Sequence, residues 1–199
     1  MFRIWKSSDW LPEKWHAVSG YVNSICWSPC GSTALFTTST EPRIYSLRFS
    51  VQEEVQTAGA AVPVMDLTKT LIDEEIVIGG EVQAMHWDPS GERLVVSFKE
   101  SNLIALFCTR VSINGVSVSP LGFVQGQANE HASTMEFAKH FKGGALLTIV
   151  WSSGRLQHFP MFFMSSTNLV QDLDTHQPCL LSSSPAAEFA PRVFSSPAL

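Results

Sequence analysis

Two stretches of the chain share one pattern of apolar and polar positions. Val22–Trp27 and Val82–Trp87 alternate in character and end in tryptophan, and a tight turn follows each at 28–31 and 88–91. A nearly continuous apolar run comes after each turn. Alternation predicts a strand, and a continuous apolar run predicts a strand buried on both faces. The turns carry proline, which presets one backbone angle, and glycine, which accepts a positive φ. A repeated strand–turn–strand unit of this kind is typical of a β-propeller blade.

The same pattern extends over most of the chain. We predict an all-β fold, a partial WD40-like β-propeller of about three blades with the first truncated, over residues 1–165. The predicted blades lie near 1–20, 21–79, 80–128 and 129–165. Within the second of these, 50–64 reads as a solvated loop and 65–72 as its fourth strand. A tail rich in serine and proline, 166–199, lacks the apolar content to offset chain entropy and is predicted to be disordered.

The repeats are degenerate. Trp27 and Trp87 are farther apart than the about 40–45 residues of a standard WD blade, and the excess falls in connecting loops. Neither repeat keeps Gly-His before its first strand or Trp-Asp at the end of its third. Because propellers close with about four to eight blades, we expect this chain to be the C-terminal part of a longer propeller, or a short isoform of one. Expressed alone, it is expected to be poorly soluble or to oligomerise, since open edges would stay uncovered.

Charge and composition narrow the range of functions. The net charge is −5, and the 13 Lys and Arg residues are scattered, so the basic stripe expected of a protein that grips DNA or RNA is absent. No stretch is long and apolar enough for a transmembrane helix. Membrane association is therefore expected only through a partner. The four cysteines form no zinc motif; Cys26 is predicted to point into the core and Cys30 to lie in a turn.

No set of residues in the sequence indicates a catalytic site. His86, Asp88 and Ser90 crowd together in sequence, but His86 falls within a predicted strand, and Asp88 and Ser90 belong to the turn. Catalytic triads depend on side chains that converge in space, for which adjacency in sequence is poor evidence. Asp88 is better explained as a turn residue that accepts backbone N–H groups. Metal-ligand spacing and phosphate-binding motifs are missing as well, so we expect no catalytic, metal or cofactor-binding residues and no enzyme.

The apolar run 159–164 is the candidate for protein binding. It contains Phe159, Met161, Phe162 and Phe163. One interpretation is the buried third strand of the last blade. The other is a surface that meets another protein, because methionine and aromatic side chains adapt well to partner surfaces. In the tail, Ser184-Pro185 and Ser196-Pro197 are candidate sites for proline-directed phosphorylation, although such pairs are common in any tail of this composition.

Several segments form a recognisable series when they are taken in order. They are Phe2-Arg3-Ile4-Trp5, Cys26-Trp27-Ser28-Pro29 with Gly31, Leu35-Phe36-Thr37 through Glu41-Pro42 to Ile44-Tyr45-Ser46-Leu47, Trp87-Asp88-Pro89-Ser90-Gly91-Glu92-Arg93-Leu94, and Lys142-Gly143-Gly144-Ala145-Leu146-Leu147 with Trp151-Ser152 and Gly154-Arg155. Together they resemble the C-terminal half of the aladin family, the WD-repeat nucleoporins linked to triple-A syndrome, over about residues 2–163.

The resemblance implies a non-enzymatic scaffold of the nuclear pore complex. Its implied partners are a transmembrane nucleoporin of the NDC-one type, which holds the family at the nuclear envelope, and other pore components. The implied roles are nucleocytoplasmic transport of protein and RNA, and spindle assembly with a location at spindle poles in mitosis. The alternative is a generic WD-repeat adaptor, such as a ubiquitin-ligase substrate receptor or a coat component, because one fold serves many functions.

Overall fold

Short strands joined by tight turns make up the computed structural model, which describes residues 2–5, 7–15, 18–49, 60–72, 75–112, 115–163 and 192–194. The strands are β1 (Phe2–Trp5), β2 (Pro12–Trp15), β3 (Val22–Trp27), β4 (Thr33–Thr38), β5 (Arg43–Arg48), β6 (Val62–Asp66), β7 (Thr70–Ile72), β8 (Ile76–Ile78), β9 (Val82–Trp87), β10 (Arg93–Phe98), β11 (Leu103–Ser112), β12 (Gly115–Gln125), β13 (Ala132–Phe137), β14 (Gly144–Trp151), β15 (Leu156–Phe162) and β16 (Arg192–Phe194). Over these ranges there is no helix, and hence none that could cross a membrane.

Most of the strands form antiparallel sheets in which neighbours in the chain are neighbours in space. The two four-stranded meanders are β3-β4-β5-β6 and β9-β10-β11-β12, and a three-stranded meander, β13-β14-β15, follows. Two hairpins, β1-β2 and β7-β8, complete the set. Three of the predicted blades contain one meander or hairpin each, and 21–79 contains both a meander and a hairpin. The all-β, propeller-type architecture predicted from the sequence is confirmed.

The sheets pack face to face, and their innermost strands meet. The backbone N–H of Met85 on β9 donates to Ser24 Oγ on β3 over 3.0 Å, and Gln83 Nε2 on β9 donates to the carbonyl of Ala132 on β13 over 3.0 Å. These bonds tie β9 to both neighbouring inner strands. Such an arrangement, with first strands side by side and later strands farther out, is the radial plan of a propeller.

The hydrophobic core is divided among the spaces between consecutive sheets. Strand β10 shows why: Leu94 and Val96 pack toward the β3–β6 meander, whereas Val95 packs toward β13–β15. All three side chains are fully buried. A strand covered on both faces is apolar at nearly every position, which explains the continuous apolar run that follows each of the two repeated turns in the sequence.

Two details differ from the sequence prediction. The fourth strand of the β3 meander is Val62–Asp66 rather than 65–72, and it ends where the backbone N–H of Thr68 donates to Asp66 Oδ1 over 2.8 Å. Residues 70–72 pair with β8 instead. The start of this strand lies in the segment predicted to be a loop, whose positions 50–59 lie outside the described residues.

The predicted disordered tail, 166–199, lies outside the described residues except for β16. This short strand pairs in parallel with β12, with Val193 opposite Phe123. For residues 192–194 the structure thus places a strand where the sequence predicts disorder. Pro120 lies on β12 outside the segment that pairs with β16, next to a register shift opposite Leu106 and Phe107. Proline has no backbone N–H to donate, and at such an irregularity the loss of one ladder hydrogen bond costs little.

Candidate protein-interaction surface

The outer face of the β13–β15 sheet carries two of the described chain's exposed large apolar side chains, Leu156 and Phe162. Strand β14 alternates strictly: Ala145, Leu147, Ile149 and Trp151 are buried in the core, and the residues between them are only half buried. The sequence predicts 145–151 as a buried strand without distinguishing its two faces. One face is packed against the preceding sheet, and on the other face the described part of the chain leaves the side chains of β14 partly exposed.

Strand β15 continues this open face. Its register places Pro160 opposite Leu146, His158 opposite Thr148, and Leu156 opposite Val150. Leu156 is 63% exposed and Phe162, at the end of the strand, is 72% exposed. Among the described residues, no strand pairs with the second edge of β15. The face therefore carries apolar side chains on both sides of the Thr148–His158 hydrogen bond of 3.0 Å, beside an edge of β15 with which no described strand pairs. Such a face and edge are a template for a protein partner. We call this set, Leu146, Val150, Leu156 and Phe162, the outer patch.

The four residues predicted to bind a partner do not lie on one face. Phe162 points to the open side, where its ring lies 5.7 Å from that of Phe141. Met161 is buried in the core, and Phe159 is partly buried against the same cluster. Phe163 is also partly buried, with the guanidinium of Arg93 4.3 Å from its ring centre. The structure thus separates one exposed residue, Phe162, from three that support the sheet from behind.

A charged network fixes the hairpin that carries the outer patch. The buried carboxylate of Glu130 accepts hydrogen bonds from Arg155 Nη2 at 2.5 Å and Nε at 3.1 Å, from Ser153 Oγ at 2.5 Å and from the backbone N–H of Gln127 at 2.8 Å. Because ionised acceptors make stronger hydrogen bonds, this ties the β12–β13 loop to the β14–β15 turn. The hydrogen bonds from Arg155, followed by that from Ser153, lower the pKa of the Glu130 carboxyl to about 2.

The network extends into the core through Gln157. Its Oε1 accepts from Arg155 Nη1 at 3.0 Å and from the indole N–H of buried Trp151 at 2.9 Å. Arg155 also lies 5.2 Å from the Trp151 ring centre. A buried indole N–H needs an acceptor, and here the acceptor is held by the same arginine that binds Glu130. These contacts consequently restrict the side-chain rotamers of Trp151, Gln157 and Arg155 next to the outer patch.

Close backbone packing fixes the other end of the sheet. At Gly144 an added Cβ would lie 1.9 Å from the carbonyl oxygen of Met161, so only glycine allows β14 and β15 to approach there. Phe162 is opposite Gly144 in the register. A larger residue at 144 would therefore push apart the two strands at the position that carries the exposed phenylalanine.

The suspected trio His86, Asp88 and Ser90 does not converge. Ser90 donates its hydroxyl to Asp88, which also accepts the N–H of Arg93 at 2.6 Å. His86 Nδ1 instead lies 3.5 Å from Glu136 Oε2 on β13. Asp88 is a buried turn residue that accepts backbone N–H groups, as predicted. Across the part of the chain that the structure describes, no three His, Cys, Asp or Glu side chains come together as a metal site.

Cys26 faces the core, as its alternating strand predicts. It packs against the cluster between the β3 and β9 sheets, and burial raises the pKa of its thiol to about 12. Cys30 lies exposed in the turn after β3. Cys179 lies outside the described residues.

Comparison with known proteins places the chain in a family. The model of the aladin seven-bladed propeller matches residues 1–162. The chain belongs to the aladin family. Aladin from Arabidopsis thaliana is 32% identical over 176 residues, a match that covers 82% of this chain and 37% of that protein. The chain thus spans little more than a third of the length of this aladin.

Solved structures agree with the aladin-type fold. Hsv2 from Kluyveromyces lactis superimposes with a TM-score of 0.54 at 12% identity, covering 83% of this chain and 43% of that one. KlAtg21, solved in complex with the coiled-coil of AgAtg16, gives a TM-score of 0.54 at 10% identity, with 80% and 43% covered. At such low identity these likenesses show the fold alone.

Sequence reasoning missed most of the outer patch. Leu156 and Val150 were not among the predicted binding residues, although a period-2 reading from Phe162 back through Pro160 and His158 reaches Leu156 directly. The period-2 pattern could not be recognised because 145–151 and 159–164 are apolar at nearly every position. Only the register between β14 and β15 shows which residues share the open face.

Proposed function

We propose that this chain acts as a non-enzymatic scaffold segment of the nuclear pore complex, located at the nuclear envelope. In this role it supports nucleocytoplasmic transport of protein and RNA, and spindle assembly from the spindle poles in mitosis. Membership of the aladin family, a family of propeller nucleoporins, supports the location. The single observation that supports the scaffold role is the outer patch, whose Leu156 and Phe162 are exposed beside a strand edge that pairs with no strand among the described residues.

The outer patch is proposed as the contact with the membrane-anchored part of the pore. Phe162 is its anchor, because a large exposed aromatic ring provides much apolar area with few rotatable bonds. The opposite face of β15 and the residue after it carry Phe159, Met161 and Phe163, which pack against the core and so hold β15 in place. The partner is a transmembrane nucleoporin of the NDC-one type, with other pore components beside it.

Charge supports a protein partner. The chain carries a net charge of −5, which gives no electrostatic attraction to a phosphate backbone or to anionic lipid headgroups. Association with the membrane therefore proceeds through the partner, and RNA is transported without direct binding by this chain.

The test is capture of the named partner from detergent extracts of nuclear envelopes by the tagged 199-residue chain. The variant Leu156→Glu places a charge in the outer patch at a position that is already exposed. Its matched control is Leu71→Glu on β7, which is 60% exposed and lies on a different sheet. We expect Leu156→Glu to reduce the recovered NDC-one-type nucleoporin at least tenfold and Leu71→Glu to leave it unchanged.

Two outcomes would reject parts of the proposal. Equal recovery with both variants would show that the outer patch is not the contact. Recovery of ubiquitin-ligase or vesicle-coat subunits in place of pore proteins would favour the alternative, a generic WD-repeat adaptor. Circular dichroism of both variants establishes that each retains the β-sheet signal of the parent chain.

A further inference from the structure

One edge of the β9–β12 sheet is covered by a segment from the C-terminal tail. Strand β16 lies next to β12 at the end of this sheet, in the order β16-β12-β11-β10-β9. The two strands run parallel, with Arg192 opposite Gly122 and Phe194 opposite Val124. The tail therefore adds a fifth strand to a meander whose other four strands are consecutive in the chain.

Prolines limit where this pairing can occur. Pro120 divides the outer edge of β12 into two parts, and β16 pairs with the part that follows it. In the tail, Pro191 and Pro197 flank the segment 192–196 in the sequence. Because proline has no backbone N–H to donate, a continuous ladder is confined to the residues between these prolines. The sequences of both strands thus restrict the pairing to a short, defined stretch.

An apolar cleft of about 440 Å³ adjoins the covered edge. It lies between the β10–β12 strands and the chain from β6 to β8, and its wall includes Gly122 and Phe123, which both pair with β16. Phe123 is opposite Ala105 on β11, which packs toward the β3–β6 meander. Since paired residues share one face of a sheet, a residue that pairs with Phe123 belongs to the face that carries the cleft.

An edge beside such a cleft is suited to an extended peptide. In strand addition, main-chain hydrogen bonds supply affinity, and pockets for alternate side chains supply specificity. The cleft wall carries one charged residue, Asp66, which lies 3.5 Å from Arg43 and remains 56% exposed. The segment 190–199 also carries one charged residue, Arg192, of the opposite sign. An apolar segment with a single cation therefore complements the edge and the cleft.

The covering strand can leave without disturbing the sheet. It pairs with β12 only over Gly122–Val124, whereas β11 and β12 pair along the whole of Leu103–Ser112. Parallel pairing is also slightly less stable per residue than antiparallel pairing. The four strands of the meander consequently keep their own ladder when residues 192–194 are released.

We propose that the outer edge of β12 is a docking site for an extended segment, and that residues 192–194 of the same chain are its resident occupant. We call these three residues the strap. When bound, the strap covers backbone groups that would otherwise pair with other chains. When released, it uncovers both the edge and the adjoining cleft. The strap exchanges with a free segment of the same chemistry, apolar with a single cation.

Attachment to the same chain favours the strap over a free peptide. A tethered segment has an effective concentration on the order of 1 mM. A free peptide with a dissociation constant of about 0.1 mM would then bind the parent chain about tenfold more weakly than it binds a chain whose strap is released. Weak binding to the parent, with tighter binding to a released variant, is the expected result of this competition.

The experiment compares the 199-residue chain with Val193→Pro, which removes the backbone N–H at the centre of β16. Leu181→Pro is the matched control, because it makes the same change in the tail outside β16. We expect Val193→Pro to speed hydrogen exchange at least tenfold for the amides of residues 122–124 that β16 protects. Exchange in β10 and β14 should stay at the parental rate, which shows that the fold is retained, and Leu181→Pro should match the parent throughout.

Binding of a fluorescein-labelled peptide of residues 190–199, followed by anisotropy, gives the second readout. The peptide should bind Val193→Pro about tenfold more tightly than the parent or Leu181→Pro, and a peptide that carries Val193→Pro should bind none of them. Unchanged exchange at 122–124 in Val193→Pro, or equal or absent binding of the peptide across the three proteins, would overturn the proposal. Protection of 122–124 that weakens when the parent chain is diluted would also overturn it, because the strand would then come from a second copy.

Discussion

Removing the charge of Glu130 is the sharpest test of how the β14–β15 hairpin is held. In Glu130→Gln the side chain keeps its size, but the carboxylate that accepts four hydrogen bonds becomes a neutral amide. Its side chain is only 5% exposed, whereas that of its partner Arg155 is 31% exposed. Breaking a buried ion pair costs about 3–5 kcal/mol, and partial access of water to Arg155 reduces this. We expect a loss of about 2–3 kcal/mol in the free energy of unfolding.

The assay is urea denaturation followed by the summed fluorescence of the chain's six tryptophans, one of which, Trp151, donates its indole N–H to Gln157 within the network. With slopes of about 1–3 kcal/mol per M, the midpoint should fall by roughly 1 M or more. Glu136→Gln is the matched control, since Glu136 is 79% exposed and its ion-pair partner is His86 at 3.5 Å; exposed pairs contribute about 0–1 kcal/mol. If Glu130→Gln lowers stability no more than this control does, the network does not hold the hairpin.

The pH dependence gives an independent check. The Arg155 hydrogen bonds lower the pKa of the Glu130 carboxyl from 4.5 to about 2 in the folded chain. A lowered folded-state pKa stabilises the protein above the unfolded value, and this contribution is lost as pH falls from 4.5 toward 2. The difference in unfolding free energy between the parent and Glu130→Gln should therefore shrink across that interval. A difference that stays constant down to pH 2.5 would contradict the assignment.

Two further predictions concern stability. Asp88→Ala removes the acceptor of the N–H groups of Ser90 and Arg93 at 3.0 and 2.6 Å, so it should cost about 1–3 kcal/mol in urea denaturation; a loss below 0.5 kcal/mol would contradict this role. Gly126→Ala places a Cβ 2.5 Å from the Trp151 ring and should cost about 1–3 kcal/mol through overpacking, with a shift of tryptophan emission. An unchanged emission spectrum and midpoint would show that the ring can move aside freely.

The repeated turns and their flanking strands could be predicted because the interactions that determine them join residues close together in the sequence. Alternation in Val82–Trp87, a proline and glycine in the turn, and the continuous run after it each reflect a constraint within a dozen residues. The role of Asp88 follows from the same local geometry. Strand β10 is apolar at nearly every position because both of its faces are covered, and burial on both faces can be predicted from such a continuous apolar run.

The rest depended on contacts between distant residues. Strand β6 contains Pro63 and lies partly in a segment whose composition predicts a loop, and its pairing with β5 sets its position: Arg43 is opposite Asp66, and Leu67 donates its N–H to the carbonyl of Pro42 over 2.7 Å. The outer patch needed the β14–β15 register, and the Glu130 network joins residues separated by 25 positions. The turns 28–31 and 88–91 belong to different sheets and come together in the fold, with an added Cβ on Gly91 3.4 Å from Cδ of Pro29. Neither spacing nor periodicity encodes these pairings.

The proposed role of this chain as a scaffold segment of the nuclear pore complex requires it to be located at the nuclear envelope. Live-cell imaging of the fluorescently tagged 199-residue chain beside a marker of the nuclear envelope tests this location. We expect a rim signal that coincides with the pores, is strongly reduced by Leu156→Glu and is retained in Leu71→Glu. A diffuse cytosolic signal for the unaltered chain, expressed as intact protein, would contradict it.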